Sequence, residues 1–183
     1  GDGVIDTNDR TMIGRGLPIH TGGFTNNFEY KGFDLSVFFQ WSYGNDVLNA
    51  NRLFFDSGFQ KKRELNQYAS YTDRWTPENP NSNIPAATNS SSNLVISSRV
   101  VEDASFLRLK TVTLGYTVPK TFLKKYKIDN ARLYVAAQNL WTITGYSGYD
   151  PEVSIRSGGL TPGLDFSSYP RALSVSFGIN LGF

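Results

Sequence analysis

The sequence predicts an all-β fold, a segment of an antiparallel up-and-down transmembrane β-barrel. Three observations point there: apolar residues that alternate with a period of two, strands of about the length that crosses a bilayer, and connections that alternate between short and long. The composition agrees with this reading. Of 183 residues 14% are aromatic, with 13 Phe and 10 Tyr beside 17 Gly, so the chain is rich in rings without being greasy overall.

The elements follow in order. "FTNNFEY" (24–30) reads as a first strand, and Lys31-Gly32 as a tight hairpin turn into "FDLSVFFQWSY". In that second strand Phe33, Leu35, Val37, Phe39, Trp41 and Tyr43 share one parity, against Asp34, Ser36, Phe38, Gln40 and Ser42 on the other. A long connection, 44–104, precedes a third strand, "SFLRLKTVTLGYTV" (105–118). There Val112, Leu114, Tyr116 and Val118 share a parity that Leu107 and Leu109 do not, which predicts a bulge or a change of environment near Lys110. A medium turn, 119–130, leads to "ARLYVAAQNLWTI" (131–143). After a second long connection the chain closes on Leu173, Val175, Phe177, Ile179, Leu181 and Phe183, alternating with Ser174, Ser176, Gly178, Asn180 and Gly182. The segmentation is therefore 1–23 outer loop, 24–43 hairpin, 44–104 long outer loop, 105–143 strand pair, 144–170 outer loop and 171–183 terminal strand.

Short turns at one edge and long loops at the other are the habit of outer-membrane barrels. With the short turns on the periplasmic side, Trp41, Tyr43 and Trp141 fall at the outer interface and Phe33, Tyr116 and Phe183 at the inner one, giving two aromatic girdles. Outward apolar residues face lipid; inward Asp34, Gln40, Ser174, Ser176 and Asn180 face lumen or plug. A soluble, calcium-dependent β-sandwich that grips carbohydrate through Trp and Tyr is the alternative that the same alternation allows.

Several classes are excluded or weakened. A net charge of +2 gives no basis for nucleic-acid binding, and the absence of Cys removes disulfides, zinc-thiolate sites and thiol catalysis. His20 is the sole histidine, and no Walker loop or dinucleotide fingerprint occurs, so no enzyme is expected. Carboxylate pairs such as Glu102-Asp103 and Asp150 with Glu152 are too ordinary to mark a glycosidase.

The opening "GDGVIDTNDR" reads as the second half of a calcium loop. Asp2, the carbonyl of Val4, Asp6 and Asp9 fit loop positions 5, 7, 9 and 12, with Gly3 at the turn. The missing first half and the lack of an initiator Met or leader lead us to expect a piece of a longer chain.

Six segments in order resemble the TonB-linked outer-membrane nutrient transporters of the SusC/RagA type found in Bacteroidetes. They are "GDGVIDTNDRTMIG", "YKGFDLSVFFQWSYGNDV", "RWTPENP", "DASFLRLKTVTLGYTVP", "YVAAQNLWTITGYSGYDPEV" and "YPRALSVSFGINLGF". The resemblance implies a plugged barrel of about 22 strands, of which these are the last five. It also implies a cell outer-membrane location, oligosaccharide or peptide cargo, TonB acting through an absent N-terminal region, and a SusD-like surface lipoprotein as lid. A terminal strand with Phe177, Ile179, Leu181 and Phe183 has the form of a signal read by the barrel-assembly machinery. In the loops Trp75, Tyr146, Tyr149 and Asp150 are candidate contacts for cargo or lid, and Lys61, Lys62, Arg63 and Glu64 form the densest charge cluster, in a short helix or a solvated face.

Overall fold

The computed structural model describes residues 7–58, 66–88, 94–155 and 162–183. Its framework is an antiparallel five-stranded sheet, built from β1 (His20–Tyr30), β2 (Phe33–Tyr43), β5 (Phe106–Thr117), β6 (Asn130–Thr144) and β8 (Ser174–Gly182) in that spatial order. Each strand pairs with the next sheet strand in the chain, which is the up-and-down meander that the turn pattern predicts. Three short strands, β3 (Asp46–Asn49), β4 (Val101–Asp103) and β7 (Leu164–Asp165), form a separate sheet in the order β4-β3-β7. Among the described residues no helix is long and apolar enough to cross a membrane, so any crossing is made by strands. Eleven residues at about 3.3 Å each, tilted by about 45°, span roughly 25 Å, the height of a barrel's apolar band.

The register sorts side chains onto two unlike faces. Reading across the strands, one face carries the rows Phe24–Phe39–Leu109–Trp141, Asn26–Val37–Val112–Ala137–Val175, Phe28–Leu35–Leu114–Val135–Phe177 and Tyr30–Phe33–Tyr116–Leu133–Ile179. Asn26 is the only polar member. Ring pairs hold neighbouring strands: Phe24 stacks on Phe39 at 4.8 Å between centroids, and Phe33 lies against Tyr116 at 4.6 Å. This face is open, with Phe177 82% and Ile179 65% exposed, and among the described residues no second sheet covers it. A sandwich would bury it; a lipid-facing wall leaves it bare.

The parity change in the third sheet strand is resolved by a bulge at Lys110. Between the Val112 and Leu109 rows, β2 advances two residues (Val37 to Phe39), β5 three and β6 four (Ala137 to Trp141). The extra residue returns Leu107 and Leu109 to the apolar face that Val112 and Leu114 occupy. On β6 the excess is taken up at Asn139, which adopts a left-handed φ of 53°.

The other face is polar and tightly fitted. Asp34 on β2 accepts from the guanidinium of Arg132 on β6, with Nε–Oδ1 at 3.0 Å, and the pair passes over Gly115 of the strand between them. A Cβ on Gly115 would collide with both partners, so only glycine lets the ion pair close across the sheet.

Residues within the long connections, read as loops from the sequence, contain the densest packing. Val47, Ala104 and Tyr146 form one buried cluster. Ala50, Leu53 and Val100 form a second, with Leu48, Phe54 and Leu164 against it. Helix α1 (Ala50–Phe55) turns Ala50 and Leu53 inward at i, i+3 spacing, and Arg52 pairs with Asp56 one turn on at 3.1 Å. The wall thus has no conventional core, and the connections at its long-loop end form a cap that has one.

The parity of the wall is testable. In an intact barrel Val37→Arg or Phe177→Arg should cost about 2–4 kcal/mol near the bilayer midplane and sharply lower the yield of heat-modifiable barrel. Ser36→Arg and Ser176→Arg, on the opposite face, should be far milder. Equal losses at both parities would refute the register.

Candidate functional site

The cap organises the loop "TGYSGYDPEV". On one side Ser147 is bound by Glu102 of β4, whose carboxylate accepts the Ser147 N–H at 2.9 Å and its hydroxyl at 2.9 Å. Glu102 also receives Asn49 at 3.1 Å and Arg52 at 3.3 Å. Burial alone would raise the Glu102 pKa, but the Ser147 hydroxyl and N–H, Asn49 and Arg52 outweigh it and hold the carboxyl below its ordinary value. On the other side Asp150 is only 3% exposed and accepts from Arg108 of β5 at 2.6 Å. The backbone N–H groups of Glu152 and Arg171 complete its shell at 2.9 and 3.0 Å.

Glu152 joins the same cluster. Its carboxylate meets Arg108 at 2.9 Å, Arg171 at 3.1 Å and Lys110 at 3.3 Å, and it accepts from the Gln40 amide at 3.3 Å. The connection after β6 therefore returns onto the polar face of the wall and is clamped there by three cations and two carboxylates. Desolvation would raise the Asp150 pKa, yet the bonds from Arg108 and from the Arg171 and Glu152 backbone hold it below the usual carboxylate value.

Between the two anchors stands Tyr149, 85% exposed. It borders a cavity of 480 Å³ lined also by Asn49, Asn51, Arg52, Asp56, Ser70, Ser147 and Gly148. A second cavity of 460 Å³ shares Asn51, Tyr68 and Tyr149 with it and adds Phe55, Tyr169 and Pro170. Asp56 is fixed by Arg52 and by the Ser70 hydroxyl at 2.9 Å, and the Asn49 Oδ1 is buried without a hydrogen-bond partner. Polar groups held at the base and aromatic rings at the rim are the chemistry of a site for polar, ring-bearing or peptide ligands.

The sequence candidates fall in different surroundings. Tyr146 is 5% exposed; its hydroxyl donates to Asp165 at 2.7 Å, and burial, then that bond, pushes its pKa up. Tyr146 and Asp150 thus face internal partners, whereas Tyr149 faces solvent. Trp75 is 42% exposed in a turn where its N–H bonds the Ile84 carbonyl at 2.8 Å and Asn79 bonds the Asp73 carboxylate at 3.0 Å. Phe177, Ile179 and Leu181 share the outward face of β8, and Phe183 is 85% exposed beyond it. Asp9 ends a 3-10 turn, Thr7–Asp9, and is exposed. Asp2, Val4 and Asp6 lie outside the described residues, as does the 61–64 charge cluster; among the described residues no group of three potential ligands converges on a metal site. Sequence reasoning missed Arg108, Tyr68 and Tyr169 and set Glu102 aside as an ordinary carboxylate, although alternation with Leu107 and Leu109 places Arg108 on the polar face.

No protein-family profile matches the chain. The TonB-dependent receptor P3 of Formosa agariphila is 39% identical over 188 residues, covering 100% of this chain and 18% of that protein. TonB-dependent receptor SusC of Bacteroides thetaiotaomicron is 28% identical over 184 residues, again across 100% of the chain and 17% of the relative. The solved RagAB peptide transporter superposes with a TM-score of 0.75 at 31% identity, over 89% of this chain and 17% of that one. This chain belongs to the TonB-dependent receptors of the SusC/RagA type. It corresponds to a C-terminal part of such a receptor and spans under a fifth of the length of the relatives it matches. TonB-dependent receptors of this type are outer-membrane β-barrels, so the bare apolar face of the sheet is the barrel's lipid face.

The clamp makes a prediction for the receptor. Arg108→Met leaves the buried Asp150 without its cation and should cost about 3–5 kcal/mol, read as protease sensitivity of the 145–155 loop in the intact barrel. Because the Asp150 pKa is depressed in the folded state, its stabilisation is present above the ordinary value of 3.8 and is lost as pH falls through the depressed value. Wild type should therefore become cleavable only in acid below pH 3.8, and Arg108→Met at neutral pH.

Proposed function

We propose that this chain forms the closing wall and part of the outer cap of a TonB-dependent importer that takes oligosaccharides or peptides across the outer membrane. In this reading a SusD-like surface lipoprotein closes over the cap, TonB supplies energy through the N-terminal region, and the chain has no catalytic role. The observation that carries it is the segregation of the sheet into an open apolar face and a fitted polar one, with a polar, tyrosine-rimmed cap at the long-loop end. Similarity to SusC and to the RagAB peptide transporter supports it.

Within the cap Tyr149 is the residue placed to touch cargo or lid. Ser147 and Asp150 hold the backbone on both sides, so its exposed ring is preorganised and loses little freedom on binding. The terminal strand, with Phe177, Ile179, Leu181 and Phe183, serves as the assembly signal. On residue type and spacing, Asp2, the Val4 carbonyl, Asp6 and Asp9 bind calcium together with upstream oxygen ligands and order the outer loop.

Tyr149→Ala and Tyr68→Ala in the full-length receptor should each lower uptake of labelled oligosaccharide or peptide, or capture of the lipoprotein. The expected loss is about 2- to 12-fold, the range of one aromatic contact, at unchanged barrel level. Unchanged uptake and unchanged capture in both variants would rule out the cap as the contact surface.

A further inference from the structure

The end of the sheet opposite the cap carries chemistry that neither the wall nor the cap uses. The β5–β6 turn reads "PKTFLKKYKID" (119–129), in which Lys120, Lys124, Lys125 and Lys127 alternate with Phe122 and Tyr126. Helix α2 (Lys120–Leu123) is followed by a 3-10 turn, Lys124–Tyr126, and Lys127 closes it with a left-handed φ of 54°. Leu123, 7% exposed, anchors the turn, and the Asp129 N–H bonds the Gly182 carbonyl of β8 at 2.8 Å.

With the backbone so fixed, Phe122 remains 70% and Tyr126 67% exposed. The same end of the sheet carries Tyr30 on β1, 69% exposed, and Phe183 after β8, 85% exposed. The β1–β2 turn adds Lys31, whose ammonium lies 5.1 Å from the Tyr30 ring, and Lys125 lies 5.9 Å from the Tyr126 ring. The two turns together hold five lysines and one acid, Asp129. This basic, aromatic edge continues directly from the last row of the lipid face, Tyr30–Phe33–Tyr116–Leu133–Ile179.

We propose that the β5–β6 turn docks onto anionic glycerophospholipid headgroups in the periplasmic leaflet. Rings interleaved with lysines match a headgroup layer: Phe122 and Tyr126 leave water at the acyl boundary while the lysines keep their ammoniums among phosphates. A zwitterionic surface would satisfy the rings but not the surplus charge. The docking pins the lower rim of the barrel. It rests on the assignment of the short turns to the periplasm.

The test uses the full-length receptor in detergent, titrated with phosphatidylglycerol, phosphatidylethanolamine or lipopolysaccharide and read by native mass spectrometry. Each lysine at an anionic surface is worth roughly a five-fold change in partition. Wild type should retain phosphatidylglycerol at least ten-fold better than phosphatidylethanolamine. Combined substitution of Lys120, Lys124, Lys125 and Lys127 by Gln should abolish that preference, and Phe122→Ser with Tyr126→Ser should weaken retention of both phospholipids. Pairwise Lys→Gln variants, each giving about half the loss, provide the same reading should the quadruple variant fail to assemble. Unchanged phosphatidylglycerol retention in the lysine variants overturns the proposal. Side of exposure is read separately from Lys125→Cys in intact cells, which should resist an impermeant maleimide. Labelling there, with lysine-dependent lipopolysaccharide binding, overturns the periplasmic assignment and the proposal together. Resistance to label with no lysine-dependent lipid binding overturns the proposal alone.

Discussion

A backbone amide or carbonyl left unpaired in hydrocarbon costs several kcal/mol, and this requirement organises everything else in the chain. A meander of antiparallel strands meets it for each strand flanked on both sides, as β2, β5 and β6 are here, and closure of the barrel meets it for the edge strands β1 and β8. Once the backbone is committed to extended pairing, side chains must alternate, and each face acquires its own solvent. The apolar face needs no protein partner because lipid is its partner. That is why so many large hydrophobic residues lie exposed in a chain whose own buried core is small.

Inside the barrel the problem is reversed. Charged residues on the polar face find their partners across the strands, and the register provides them. Asp34 and Arg132 are separated by a whole strand, and the gap is bridged because that strand offers Gly115 beneath them. Tyr134 lies over Gly178 in the same way. Glycine at these positions acts as space for a neighbour's side chain rather than as conformational freedom.

The cap couples the wall to the loops through the Arg108 cluster. Arg108 leaves β5 on the polar face, two residues before the bulge at Lys110, and both cations reach the Asp150–Glu152 segment that follows β6. The bulge thus serves both faces: it restores the apolar row outside and brings two cations near one carboxylate inside. Tyr149 is held at the rim of the cap by its neighbours: Ser147 is hydrogen-bonded to Glu102 on one side and the buried Asp150 to Arg108 on the other, which leaves the ring between them exposed. Rigid anchors around an exposed ring are what a contact surface needs to bind without a large ordering penalty.

The period of two, the strand lengths and the alternation of turn and loop lengths were legible in the sequence, because extended backbone and its solvent are read locally, residue by residue. That local reading placed the five sheet strands, including an exact match for 33–43, and located the irregularity at Lys110. It did not place β3, β4, β7 or α1, whose two to six residues carry too little periodicity to stand out in polar connections and form only when segments 46–49, 101–103 and 164–165 meet. Nor did it separate Tyr149 from Tyr146. Both are tyrosines in one decapeptide, and their burial is decided by Asp165 and Ala104 for one and by the Glu102 and Arg108 anchors for the other, partners far along the chain that only the return of the loops onto the wall brings into reach.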